Sequence, residues 1–187
     1  MRIISGKAKG KKIISPSDKL TRPLKDLTKE SIFNILEHSN LFESRIKDAN
    51  ILDLFSGVGS FGLECLSRGA SSVMFVENYH KVLPILKKNI ENLEFNADSK
   101  ISSIDLFDEQ PLNFMKKKFD IIFMDPPYKE KKLPNLLEKL ISLNLLKKEG
   151  IFIIHRHKKE KDIFSKNFNI LKEKSYGISK IIFGTKI

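Results

Sequence analysis

Ile51-Leu-Asp53-Leu-Phe55-Ser-Gly57-Val-Gly59-Ser-Phe-Gly62 is the stretch from which the rest of the chain can be read. An apolar run enters a glycine-rich turn, and the turn enters Ser60–Arg68, whose spacing predicts a helix. Strand, tight turn and helix start in that order present free backbone N–H groups to a carboxylate or phosphate. Gly57 and Gly59 let the backbone turn sharply and approach a ligand that a Cβ would push away.

The pattern repeats outward from there. Apolar runs at Asn50–Phe55, Ser72–Glu77, Lys100–Leu106, Phe119–Met124, Gly150–His155, Phe168–Leu171 and Lys180–Phe183 read as strands. Helical spacing falls between them at Ser60–Arg68, His80–Leu93, Gln110–Lys116 and Lys132–Leu145, with a shorter stretch near Lys159–Ser165. Strands alternating with helices predict an α/β fold, a mostly parallel sheet covered on both faces. The last two strands, joined around Tyr176–Gly177, read instead as an antiparallel hairpin. Ahead of this unit, Arg2–Ser5 and Lys11–Ser15 flank Gly6–Gly10 as a small basic hairpin. Asp26–His38 follows as a helix with Asp26 at its N-cap and an apolar face of Ile32, Phe33, Ile35 and Leu36. The expected division is therefore 1–25, a basic extension, and 26–187, the catalytic domain.

Two acids bear on what the glycine turn holds. Asp53 precedes the glycines at a strand end, where a carboxylate receives an ammonium directly or through water. Glu77 ends the next strand, where an acid accepts two ribose hydroxyls. That pair suits the methionine and ribose parts of S-adenosylmethionine, but a ribose-binding acid suits a nicotinamide dinucleotide equally well. Phe55 and Gly62 belong to the same expected cofactor-binding segment, and Asp105, closing the third strand, is placed for the adenine.

Phe119-Asp-Ile-Ile-Phe-Met-Asp125-Pro126-Pro127-Tyr128 decides between the two ligands. An apolar strand ends in Asp-Pro-Pro-Tyr at the carboxyl edge of the sheet, where open α/β sheets bind ligands. The amino group of a nucleic-acid base is a poor nucleophile because its lone pair is delocalised into the ring. Asp125 and a carbonyl of the Pro-Pro segment can each accept one N–H, which aims the lone pair at an electrophilic methyl. The prolines fix the backbone and remove competing donors, and Tyr128 offers a face for a flipped-out base. Methylation at a ring carbon would call for a cysteine nucleophile, and the single cysteine, Cys65, falls inside the helix after the glycine turn and reads as core.

Charge points to a polyanionic partner. The net charge is +11, and the first 25 residues hold eight basic residues against one acid, Asp18. Lys7, Lys9, Lys11 and Lys12 are candidate phosphate contacts, with Arg22 guiding the target base. His155 and His157, at the end of the fifth strand, have a spacing that could suit a metal, but with Arg156 between them they read as basic surface near phosphates. One Cys with four His offers no zinc cluster of familiar spacing. With no apolar run long enough to span a bilayer and no apolar segment behind the basic start, the expectation is a cytoplasmic, metal-free monomer.

Together these residues resemble the RsmD family of bacterial 16S ribosomal RNA guanine-N2 methyltransferases. The likeness rests on Arg2-Ile-Ile-Ser-Gly-Lys-Ala-Lys-Gly10, Thr21-Arg22-Pro23, Glu30-Ser-Ile-Phe33-Asn34-Ile-Leu36, the glycine segment through Glu64, Leu66-Ser-Arg-Gly-Ala70 and Asp125–Tyr128. It implies a seven-stranded Rossmann-like sheet, S-adenosylmethionine as cofactor, and ribosomal RNA within a small-subunit particle as substrate. The chain departs from the family pattern at Leu24 (usually Thr), Lys29 (usually Arg) and His155 (often Glu). An adenine-N6 methyltransferase shares the Asp-Pro-Pro-Tyr box but usually carries a separate target-recognition region, for which there is little room. A catalytically idle RNA-binding assembly factor would need neither motif, and a nicotinamide oxidoreductase leaves the Asp-Pro-Pro-Tyr box and the basic hairpin unexplained.

Overall fold

A computed structural model describes residues 1–16, 24, 26–40, 45–108, 112 and 117–187. The expected helix Gln110–Lys116, the Thr21-Arg22-Pro23 segment and with it the Arg22 contact lie outside the described residues.

Seven strands form one sheet in the order β3-β2-β1-β4-β5-β7-β6. They are β1 (Asn50–Leu54), β2 (Ser72–Val76), β3 (Ser99–Ser102), β4 (Phe119–Met124), β5 (Leu146–His157), β6 (Phe168–Tyr176) and β7 (Ser179–Lys186). The first five pair in parallel, and β7 runs antiparallel to both β5 and β6. The helices are α1 (Asp26–His38), α2 (Ser60–Ser67), α3 (Leu83–Asn92) and α4 (Leu133–Ser142), with a 3-10 turn at Asn96–Asp98. This is the Rossmann-like sheet with a C-terminal antiparallel pair that the sequence implied.

Alternation along the strands divides the core in two. Ile51, Phe75, Ile121, Phe123, Ile151 and Ile153 face α1, α2, α3 and the N-terminal segment. Leu52, Val76, Ile122, Met124, Phe152 and Ile154 face α4. Under the first face Phe61 of α2 stacks between Phe33 of α1 (centroids 5.3 Å apart) and Phe123 of β4 (4.0 Å).

Several expected boundaries move for local reasons. β3 stops at Ser102 rather than Leu106, because Asp105 accepts the N–H of Phe107 at 2.9 Å and turns the chain. β6 continues past Leu171 to Tyr176: as an edge strand it carries Lys172, Glu173 and Lys174, a polarity that hid it. No helix forms at Lys159–Ser165. There the Asp162 carboxylate pairs with Arg156 and the Glu160 carbonyl accepts from Lys180, which holds the loop irregular.

The N-terminal hairpin is also less regular than expected. Only Arg2 and Lys12 form a bridge, because much of the segment's backbone bonds elsewhere. The N–H groups of Ile4 and Ser5 donate to the Glu64 carboxylate at 2.7 and 2.9 Å. Ala8 N–H donates to the Ser67 hydroxyl, and Lys7 N–H to the Ser67 carbonyl. Gly6 lies so close to that carbonyl that a Cβ would sit 1.8 Å from the Ser67 oxygen. Glu64 is fully buried, but Arg68 Nε at 2.8 Å and Lys29 Nζ at 3.5 Å balance its charge. Ile3, Ala8 and Ile13 are buried in the main core, so the segment packs on the body of the fold, with Ile4, Ser5 and Ala8 bonded to α2 and Ile14 to Asn89 of α3.

Candidate active site

The strand order reverses between β1 and β4. The chain leaves β1 toward β2 and β3, then returns to build β4 and β5 on the other side, a topological switch point of the kind where such sheets bind ligands. Leu54 and Met124 are parallel partners, so the glycine turn and the Asp-Pro-Pro-Tyr segment emerge side by side. Asp125 N–H reaches the Leu54 carbonyl at 3.4 Å.

On the β1 side, Gly57 and Gly59 have φ of 54° and 85°, the left-handed region glycine enters without penalty. Phe55, at φ 59°, is a non-glycine residue in the same region, a strain confined to the strand end. Its ring packs on Phe107 at 5.7 Å, an aromatic the sequence did not single out. Asp53 is buried, and its Oδ2 accepts the Gly62 N–H at 2.9 Å. Glu77 accepts from Gly57 N–H at 2.7 Å and Tyr79 N–H at 2.8 Å, tying the turn to the end of β2. Asp105 lies three residues beyond the end of β3, exposed and bonded to its own loop.

These acids make the pocket electronegative. Burial pushes the Asp53 carboxyl well above the usual range; the Gly62 N–H opposes this, while Asp125 and Glu77 push the same way as burial. A cationic ligand bearing hydroxyls fits such a pocket. The Ser60 hydroxyl, at the start of α2, is buried and has no hydrogen-bond partner among the described residues. Cys65 is buried in the core, and burial pushes its thiol well up, so it has no nucleophile's character.

On the β4 side, Asp125 is one-fifth exposed. The Pro127 carbonyl accepts from both Glu130 N–H (2.9 Å) and Arg156 Nη1 (3.3 Å), which occupies its lone pairs. Tyr128 is half-buried, its ring edge-on to His155 (5.8 Å) and His157 (5.3 Å).

The reading of His155 and Arg156 as basic surface is corrected. His155 is buried: its Nδ1 meets Asp125 Oδ1 at 2.7 Å and its Nε2 meets Ser179 Oγ at 2.9 Å. Arg156 is buried on the other face. Its guanidinium grips Asp162 at 2.8 and 2.9 Å and reaches the carbonyls of Pro127 and Glu130, the latter at 2.9 Å. Consecutive strand residues point to opposite faces, so these two brace the two halves of the tetrapeptide from either side. The signal lay in register: Met124 pairs with Ile154, which sets Asp125 beside His155. A bare run of His-Arg-His concealed that, because its polarity resembles solvated surface. No group of three His, Cys, Asp or Glu among the described residues could hold a metal ion.

Lys7, Lys9, Lys11 and Lys12 are all exposed, with the Lys7 ammonium over the Phe95 ring at 4.8 Å. The Lys7–Lys9 tip docks at Ser67, the last residue of α2, about 12 Å from the glycine turn at 1.5 Å rise per helical residue. The outgoing arm then returns to the pocket, where the Asn89 side chain bonds both Ile14 and the Val58 carbonyl of the glycine turn.

With this geometry in view, the class is plain: a Rossmann-like methyltransferase fold with its glycine turn and Asp-Pro-Pro-Tyr segment side by side at the β1/β4 switch point. Residues 1–185 match the family described as "Conserved hypothetical protein 95", and the chain belongs to that family. It is 36% identical to "Putative rRNA methyltransferase YlbH" of Bacillus subtilis over 166 residues, 87% of this chain and 85% of that protein. It is 34% identical to "Ribosomal RNA small subunit methyltransferase D" of Haemophilus influenzae over 187 residues, 95% of this chain and 90% of the relative. Among solved structures, "Putative methyltransferase yhhF from Escherichia coli" superposes with a TM-score of 0.81 at 26% identity, covering 100% of this chain and 97% of the other.

Proposed function

We propose that this protein methylates the exocyclic N2 amino group of a guanine in small-subunit ribosomal RNA, using S-adenosylmethionine. The observation that carries the reading is the meeting of an acidic, glycine-lined pocket with the Asp125–Tyr128 segment at one edge of the sheet. Bound in that pocket, S-adenosylmethionine supplies an electrophilic methyl group. Glu77 would hold its ribose hydroxyls, and the α2 N-terminus its carboxylate. Asp53 would receive the ammonium, directly or through water, the cation offsetting the burial that raises its carboxyl. Phe55, Gly57, Gly59 and Gly62 shape the cradle, and Asp105 sits toward the adenine end.

The chain's own share of the chemistry is orientation. Asp125 and a Pro-Pro carbonyl accept the two N–H bonds of the target amino group, and because the Pro127 carbonyl already holds two donors, Pro126 supplies the second acceptor. The lone pair then points toward the cofactor side of the pocket. Tyr128 stacks on the extruded base. Residues 1–25 serve as the RNA-docking element beside the catalytic domain 26–187. Lys7, Lys9, Lys11 and Lys12 would follow phosphates along the α2 face, and Arg22 would steer the base. Small-subunit RNA as the substrate is favoured by the likeness to "Ribosomal RNA small subunit methyltransferase D" of Haemophilus influenzae, which covers 95% of this chain.

The test is label transfer from S-adenosylmethionine to purified small-subunit particles, free ribosomal RNA and DNA, followed by mass spectrometry of the nucleosides. N2-methylguanosine in small-subunit RNA is the expected product. Label in N6-methyladenine would move the protein to the adenine class, and no transfer from an enzyme that binds the cofactor would favour a pure assembly factor.

A further inference from the structure

We propose that His155 is a positioning residue for this reaction: its Nδ1–H clamps one oxygen of Asp125 so that the other faces the target amino group. The inference rests on Asp125 being an acceptor for that group, and it extends the reading to a residue that touches neither substrate nor cofactor. A carboxylate accepts and cannot donate, so the 2.7 Å contact to Asp125 Oδ1 requires the proton on His155 Nδ1. The Nε2 meets the Ser179 hydroxyl at 2.9 Å, a group that can donate or accept and so leaves the proton placement to the carboxylate.

Three strands contribute to the arrangement: Asp125 follows β4, His155 lies in β5, and Ser179 opens β7 just after the Gly177 turn. The ring is boxed in by Asp125 and the edge of Tyr128 on one side and Ser179 on the other. Ile153, two residues before it on the same face of β5, is apolar and fully buried, so an aliphatic side chain would suit that side of the ring's site. An aspartate carboxylate turns freely about its last torsion. With Oδ1 held by His155, that rotation is stopped and Oδ2 is the oxygen left for substrate. Such placement matters in proportion to geometric error: a misplacement of about 1 Å costs on the order of 10²-fold in rate.

The test compares His155→Leu with His155→Asn and adds one spectroscopic measurement. Asparagine keeps an N–H near the position of Nδ1; leucine keeps the bulk and removes the donor. His155→Leu should lower kcat ~10–100-fold with little change in KM for RNA or in cofactor affinity, while His155→Asn recovers most of the rate. In an Asp125→Ala background, His155→Leu should lose nothing further. A purely packing role predicts the reverse order, since a buried leucine packs better than a buried asparagine. Equal rates for the two variants, or full additivity with Asp125→Ala, would overturn the proposal. Independently of activity, nitrogen-15 spectra of the histidine ring should show a protonated Nδ1 that changes when Asp125 is replaced by Ala; a lone proton on Nε2 would also overturn it. If the wild type methylates no nucleic acid, the functional reading alone fails, and the ring spectrum still decides whether His155 holds Asp125.

Discussion

Asp53 and Asp125 end neighbouring parallel strands on the same face of one sheet, yet their carboxylates are treated in opposite ways. Asp53 is sealed in the protein, bonded to the Gly62 N–H in the first turn of α2, and burial drives its carboxyl well up. Asp125 is partly open to the pocket and is held through one oxygen by a histidine. The difference follows from what comes next in the chain. After Asp53 the chain returns through α2, whose Gly62 N–H bonds the carboxylate, whereas after Asp125 it runs through buried Pro126 to exposed Pro127 and the carboxylate stays one-fifth exposed. The same side chain thus becomes a buried anchor for α2 in one place and a presented acceptor in the other.

The sharpest way to break the β1 half alone is Gly59→Val. It forces a β-branched residue to φ 85° with its Cβ 2.6 Å from Leu86. Calorimetry should show S-adenosylmethionine binding falling from micromolar to beyond detection near 1 mM, a loss of about 4 kcal/mol or more. Unchanged affinity in a folded variant would remove the glycine turn from the cofactor site.

Next in size is the RNA side. Changing Lys7, Lys9, Lys11 and Lys12 together to Ala should weaken particle binding and reduce its salt slope by up to ~3 units, at about 0.7–0.9 per phosphate contact. Because these side chains are exposed and the segment's fold is held by backbone bonds and buried Ile3, Ala8 and Ile13, cofactor affinity should stay constant. Superimposable salt series for wild type and variant would make the lysines mere solvated surface. Tyr128→Ala tests the β4 half more narrowly, with a loss of ~1–3 kcal/mol in RNA binding from lost stacking, measured by titration at fixed salt.

The smallest expected effect isolates Asp53. Between the ordinary carboxylate range and Asp53's raised value, the folded protein keeps a proton that the unfolded chain has released. Its stability therefore falls as pH rises through that window. Asp53→Asn, whose amide oxygen can still accept from Gly62, should flatten this decline in urea melts taken across pH. An undiminished slope would assign the decline to another group.

Much of this was legible in the sequence because it depends on short-range rules. The glycines that need positive φ, the apolar strand runs and the Pro-Pro rim are each local, and they gave the order of strands and helices as well as the two motifs. What stayed hidden depends on register and on the end of a strand. His155 reads as surface until β5 is set beside β4. The polar outer positions of β6 disguised it as loop beyond Leu171. The N-terminal segment resembles a free hairpin because nothing near it in sequence reveals that Glu64 and Ser67, some sixty residues on, take its backbone N–H groups.

The central claim, that Asp125 works as an oriented acceptor, is tested most directly by Asp125→Asn in single-turnover methyl transfer with cofactor and small-subunit particle both saturating. The variant is nearly isosteric, but His155 Nδ1–H needs an acceptor, so the amide oxygen turns to His155 and the NH2 turns to the substrate. The account predicts a rate lower by ~10²–10³, the loss typical of one oriented group, with S-adenosylmethionine affinity unchanged by calorimetry. Methyl transfer at the wild-type rate would contradict it.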